Sequence, residues 1–179
     1  MGSLFLLVGC GSKDSKTVIT PGGSVTTKEG AEGTITEFKG KDEKGQDVSL
    51  KVSEGKDGEV NWKSSDGTSI TAGKKVDPAD LGIPEYPGWT PTSDAGGIEN
   101  ETAGMKTVVA SFTTPDDVKK VGAFYEGKIP GAKKTELTGE SSFITFTRTE
   151  EGDSLNLIIT KDESTAQTTI SVTRTFKKK

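Results

Sequence analysis

The sequence contains no histidine and a single cysteine, Cys10. Without histidine the commonest general base and the commonest zinc ligand are missing, as is every Ser-His or Cys-His pairing that activates a nucleophile. One cysteine forms no internal disulfide and no thiolate metal site. Apolar residues make up only 30% of the 179 residues and aromatics 6%. Such a composition excludes one large hydrophobic core and favours a small packed module joined to thin β structure and linkers. The net charge is −4, and Lys177-Lys178-Lys179 is the one basic cluster. Nothing in the chain is suited to follow a phosphate backbone, so no nucleic-acid partner is expected. The three lysines, 177–179, read as a basic tail.

What is present begins at the front. Leu4-Phe5-Leu6-Leu7-Val8-Gly9 is an apolar run that ends at Cys10, and a polar, glycine-rich stretch follows. The run is far short of the about 20 residues that span a bilayer. Leu7-Val8-Gly9-Cys10 is similar to the lipobox of bacterial lipoproteins. The resemblance implies that residues 1–9 are the remnant of a longer export signal. It also implies that Cys10 is the first residue of the mature protein, carrying acyl chains such as palmitate on its sulfur and amino group. More than one chain gives stable anchoring in a bilayer. Gly11, rather than Asp, after the cysteine implies the outer membrane in preference to the inner one. The address is then the bacterial cell envelope, with the folded parts in the periplasm or at the cell surface.

Residues 10–33 are rich in Ser, Thr, Lys, Gly and Glu and read as the lipidated Cys followed by a flexible tether, with a reach of roughly 25 Å. Residues 34–75 alternate apolar and polar positions, as in Val48-Ser49-Leu50-Lys51-Val52 and Val60-Asn61-Trp62-Lys63. This is the period of half-buried strands. Asp57-Gly58 and Asp66-Gly67 read as type I′ hairpin turns and Lys44-Gly45 as a further turn. A meander of three or four strands is expected here. Residues 76–103 carry prolines at 78, 84, 87 and 91 and read as a connector without helix or central strand. Pro87-Gly88 suits a type II turn, and Asp94 to Asn100 reads as a mobile loop.

Residues 104–176 form the best-defined module. Lys106–Phe112 reads as a strand. Thr114 is the expected N-cap of a helix, with Pro115 at its first position and Asp116 and Asp117 complementing its dipole. Val118, Val121 and Tyr125 make the helix's apolar stripe, flanked by Phe124. Four strands follow, over 133–138, 142–148, 154–160 and 168–174. The expected fold class is mainly β, α+β: a small antiparallel meander, then one helix packed on an antiparallel sheet of about five strands. Tyr86-Pro87-Gly88, the strand ending in Phe112-Thr113-Thr114-Pro115-Asp116-Asp117-Val118 and the helical Phe124-Tyr125 resemble a domain of uncharacterised exported bacterial lipoproteins. That resemblance covers about residues 34–175. It implies export and brings no catalytic residues.

No catalytic residue, cofactor or metal site is expected. Asp42-Glu43-Lys44-Gly45-Gln46-Asp47 departs from a calcium loop at Lys44, where a ligand oxygen is needed. The leading expectation is a non-enzymatic binding or scaffolding lipoprotein, held to the bilayer through Cys10 and partnered by another envelope protein. An alternative is a small-ligand or glycan binder that uses Trp62, Tyr86 and Trp89. A third, ranked below both, is a carboxylate-based enzyme drawing on Glu136, Glu140, Glu150 and Glu151.

Overall fold

The computed structural model describes residues 15–92, 96–102, 104–137, 142–162 and 164–178. The fold is mainly β with two short helices, and the chain divides into two units, Met1–Ala72 and Gly73–Lys179. The lipobox, Cys10, Asp94 and Glu140 lie outside the described residues.

The first unit is a meander of six strands: β1 (Ser15–Thr20), β2 (Gly23–Gly30), β3 (Gly33–Lys41), β4 (Asp47–Gly55), β5 (Val60–Ser64) and β6 (Ser69–Lys74). Each pairs antiparallel with the next. The flexible tether expected over 10–33 is corrected here, because residues 15–30 supply β1 and β2. Thr17-Val18-Ile19-Thr20 and Ser24-Val25-Thr26-Thr27 are dense in β-branched residues, which suit a pleated ladder even where nothing is deeply buried. The strands expected over 34–75 are the four β3 to β6, and β1 and β2 extend the meander to six.

Its turns also differ from expectation. Ser64 and Thr68 close one hairpin (Ser64 N–H to Thr68 O, 2.9 Å), and Gly67 N–H returns to Ser64 O at 3.1 Å. Gly55/Glu59 and Asp42/Gln46 close two others in the same way. These are three-residue loops, in which only the third residue needs a left-handed backbone. Gly45, Gly58 and Gly67 hold those places with φ of 78°, 82° and 87°. Asp57 and Asp66 do not adopt positive φ as a type I′ turn requires. Their carboxylates instead accept the N–H of Glu59 (3.4 Å) and Thr68 (2.8 Å).

The register makes this sheet two-faced. Val18, Val25, Phe38, Leu50 and Ser64 stand opposite one another in one row. Lys16, Thr27, Thr36, Val52, Trp62 and Ile70 form the next row on the same face. The opposite face carries Thr17, Thr26, Glu37, Lys51, Lys63 and Ser69 in register. No residue from 15 to 72 is buried. The unit is one layer thick, held by ladder hydrogen bonds and cross-strand pairs such as Val52–Trp62–Ile70.

The second unit is a helix-on-sheet module. Its strands are β7 (Thr90–Pro91), β8 (Gly97–Thr102), β9 (Met105–Thr114), β10 (Lys133–Leu137), β11 (Phe143–Glu150), β12 (Asp153–Lys161) and β13 (Thr168–Lys177). Its helices are α1 (Pro78–Leu81) and α2 (Val118–Tyr125). The sheet runs β8-β9-β13-β12-β11-β10, all antiparallel, with β7 paired to the far end of β9. After β9 the chain crosses through α2 to the distal edge, then returns strand by strand until β13 lies beside β9. Rows Phe112–Ile170–Ile159–Ile144 and Ala110–Val172–Leu157–Phe146 face the core. Val118, Val121 and Tyr125 of α2 are buried in that core. The other face carries Thr145, Thr147, Thr169, Ser171 and Thr173, and Ser111 bonds Ser171 across the ladder at 3.1 Å.

Two local expectations change. The N-cap of α2 is Asp117, whose carboxylate accepts Lys120 N–H at 2.7 Å. Thr114 pairs with Thr168 in the β9–β13 ladder and is buried there, so the strand claims it before the helix can. Residues 76–103 are not a connector but part of the module. Val76, Leu81, Ile83 and Tyr86 are core residues. Pro78 opens α1 at its first turn, where a missing N–H is harmless, and Asp77 caps it. Gly97 to Asn100, within the loop expected over 94–100, belong to strand β8 (Gly97–Thr102), paired with β9.

Candidate functional site

The three aromatic candidates have different fates. Tyr86 is 4% exposed. Its ring meets Phe124 edge-on at 5.0 Å. Its hydroxyl donates to Asp116 Oδ2 at 2.7 Å. Burial and that bond push its pKa up to about 12. Tyr86 therefore belongs to the core and offers no face to a ligand, which corrects its place among the candidate binding residues. Trp62 stands half-buried on the apolar face of the first unit. Trp89 follows the Tyr86-Pro87-Gly88-Trp89 turn, closed by Trp89 N–H to Tyr86 O at 3.2 Å with Gly88 at φ 77°. This is the type II geometry expected of Pro-Gly.

Trp89 stacks on Phe112 with ring centroids 3.9 Å apart and planes 13° from parallel. β9 brings Phe112 to this place through the same alternation that buries Val108 and Ala110. Beside the pair lies a groove of about 250 Å³, lined by Val76, Pro78, Pro91 and Ala110 and flanked by Lys75 and Glu85. An aromatic platform with one cation and one carboxylate at its margin suits a single ring-sized ligand with hydrogen-bonding groups. Sequence reasoning missed Phe112 here, because its inward alternation gave no sign that Trp89 would cover it.

Charged residues gather at another end of the module. Arg174 holds Asp153 through two bonds, Nε to Oδ1 at 3.1 Å and NH2 to Oδ2 at 2.7 Å. Arg148 NH2 adds a third at 3.0 Å. These guanidinium bonds, Arg174 first, hold the Asp153 carboxyl below its usual range against the opposing effect of burial. Arg174 NH1 also donates to the Ala79 and Asp80 carbonyls at the end of α1. Lys106 Nζ lies 2.6 Å from Asp80 and 3.2 Å from Glu99. Burial alone would lower the Lys106 pKa; the two carboxylates outweigh it and raise it. The open cleft over this cluster carries Asp80, Glu101, Glu151 and Asp153 against Lys106, Arg174, Lys177 and Lys178. The signs balance and are internally paired, so the cluster locks α1 to β9, β12 and β13 rather than awaiting a charged ligand.

The three described carboxylates of those singled out in the sequence each pair with a neighbouring cation. Glu136 pairs with Lys134 at 3.4 Å, Glu150 lies 4.0 Å from Arg148 and Glu151 lies 4.0 Å from Lys177. Among the described residues no group of three or more Asp, Glu, Cys or His is placed to hold a metal ion. Among them, too, no helix is long and apolar enough to cross a membrane.

The remaining feature is the apolar face of the first unit. Val18 is 46% exposed, Phe38 41%, Val48 41% and Leu50 38%. Four large apolar side chains on one sheet face, in adjoining rows, mark an interaction surface rather than scattered exposure. No protein-family model, curated protein or solved structure matches this chain.

Proposed function

We propose that this chain is an envelope lipoprotein, anchored to the outer membrane through acylated Cys10, that works as a non-enzymatic binding and scaffolding module. One observation carries the reading furthest. Strand β1 begins at Ser15, five positions after Cys10, and the sheet it opens exposes Val18, Phe38, Val48 and Leu50 on one face. The first unit is then the base next to the anchor. The second unit, with its own core, is the part available to an envelope protein. In-envelope photo-crosslinking from exposed positions of the second unit, followed by identification of what is captured, tests this. A reproducible envelope protein partner supports it; capture of a low-molecular-weight ligand alone points to the reading that follows.

The stacked Trp89–Phe112 pair over a small groove favours a second reading, a small-ligand or glycan binder. Trp62 lies in the other unit and Tyr86 is enclosed, so the site under this reading is Trp89, Phe112, Lys75 and Glu85. Titration of tryptophan fluorescence with sugars and peptidoglycan fragments tests it. A saturable shift that disappears in Trp89→Phe supports it, and no shift with any of them removes it.

A further inference from the structure

We propose that the occupant of the apolar face on the first unit is the bilayer surface itself. The inference rests on the reading of Cys10 as the acylated residue and names what the sheet beside that anchor touches. Three features of the molecule converge on lipid.

The first is reach. Four residues separate Cys10 from Ser15, and the five steps of chain between them span at most about 18 Å. Six strands at about 4.8 Å spacing make a sheet roughly 24 Å wide. The link is shorter than the sheet it holds, so the sheet cannot be carried clear of the headgroups by a long tether. Linkage at this distance also gives a high local concentration of lipid, on the order of mM, so a modest apolar surface suffices to seat.

The second is the distribution of charge on the face. Three of its rows, those of Val18–Val25–Phe38–Leu50, of Thr20–Gly23–Gly40–Val48 and of Thr27–Thr36–Val52–Trp62–Ile70, contain no acidic residue. The only cation in them is Lys16 on the edge strand β1. Glu29 and Glu54 stand in the outermost row, next to the strand ends at Gly30 and Gly55. The opposite face holds Lys28, Glu37, Lys39, Lys51 and Lys63 together with the exposed Ile19 and Ile35. Charges thus lie at the perimeter or on the far side, the pattern of an element that rests in an interface.

The third is the absence of directional demand. The inner strands β2 to β5 are hydrogen-bonded on both sides, so unpaired backbone groups on this face are confined to its margin, where β1 forms the edge. Thr27 and Thr36 bond each other at 3.4 Å. Trp62 sits in the row of Thr27, Thr36, Val52 and Ile70, whose one charge is Lys16 on the edge strand β1, and an indole is the side chain best suited to the boundary between headgroup and acyl chain.

Because Cys10 is the only thiol, it can be coupled to a maleimide-headgroup lipid in vesicles of phosphatidylethanolamine and phosphatidylglycerol whose acyl chains carry bromine. This places the full chain at its anchor whether or not cells acylate it. In a Trp89→Phe background, Trp62 is then the one reporter. The expected result is a blue shift of Trp62 and loss of most of its emission to bromine quenching, retained in about 1 M salt because the contact is apolar. Phe38→Glu with Leu50→Glu, both at exposed positions, should restore the emission without altering the circular dichroism. Unquenched Trp62 on the coupled vesicles overturns the proposal, as does quenching indifferent to the double substitution. So does the appearance of concentration-dependent dimers, or of protein crosslinks from position 38, in place of lipid contact. Failure of cellular acylation would instead strike the lipoprotein reading and leave this measurement standing by itself.

Discussion

Tyr86 donates its hydroxyl to Asp116 Oδ2 over 2.7 Å, fastening the Pro87-Gly88 turn to the start of α2 across 30 residues of sequence. Asp116 also receives Lys120 Nζ at 2.7 Å, and the two bonds, that of Lys120 first, hold its carboxyl below the ordinary range. Tyr125, by contrast, is fully buried among Tyr86, Phe124 and Phe146, and its hydroxyl has no partner among the described residues.

The two tyrosines therefore respond differently to loss of the hydroxyl. Tyr86→Phe should lower unfolding stability by about 1–2 kcal/mol, the worth of a bond to a charged acceptor that keeps some water. Tyr125→Phe should leave stability unchanged or raise it by about 1 kcal/mol, since it removes a buried group without a bond. Urea denaturation followed by circular dichroism separates the two cases.

Alkaline titration reads the same pair. Burial first, and then Asp116, raise Tyr86 to about 12. Burial raises Tyr125 as well. A pKa raised on folding contributes stability that is fully present below the unfolded value of about 10 and is lost as pH rises through the folded value. Absorbance at the tyrosinate band should thus stay flat through pH 10 and rise only together with unfolding near or above pH 12. A transition centred near pH 10 in the folded protein would place at least one tyrosine in water.

The Asp153–Arg174–Arg148 cluster governs the acid side. Its carboxyl is lowered by the guanidinium bonds, so its contribution is present above the unfolded value of about 3.9 and is lost as pH falls through the depressed folded value. Arg174→Met should cost about 2–3 kcal/mol near neutral pH, because it strips Asp153 of two bonds and the end of α1 of its donor. The deficit relative to the parent should shrink below about pH 3, and denaturant midpoints across pH 2–7 give that difference directly.

Gly82 ends α1 with φ 67°, and a Cβ there would stand 2.9 Å from the Arg174 guanidinium. Gly82→Ala should destabilise by about 1–2 kcal/mol through left-handed strain and displacement of Arg174. Gly22, in the β1–β2 turn, has open space and no positive φ. Gly22→Ala should be neutral or stabilising by up to about 1 kcal/mol. Thermal melts of the two variants beside the parent are sufficient.

The second unit was the more legible half. Leu155, Leu157 and Ile159 alternate cleanly, and Val118, Val121 and Tyr125 recur at helical spacing, so pattern and packing agree. Residues 15–30 were not legible as strands, because their Ser, Thr, Lys and Glu content announces nothing to bury. The signal was β-branching at Thr17-Val18-Ile19-Thr20, which matters once neighbouring strands supply the ladder. The prolines of 76–91 concealed core residues, since Leu81, Ile83 and Tyr86 sit between breakers. The candidate site was half visible. Trp89 stood out by scarcity, but Phe112 was brought to it only by the pairing of β7 with β9. The Asp153–Arg174 lock joins positions 21 residues apart, and Asp80 reaches Lys106 over 26, separations that no local spacing rule reads.

The central claim is that Cys10 anchors this chain in a membrane. Metabolic labelling with a clickable fatty acid, in cells expressing the protein from its complete gene, tests it most directly. The account predicts strong label on the protein and its loss in Cys10→Ala, with the labelled form sedimenting with outer membranes. Equal labelling of the two, or none in either, would contradict it.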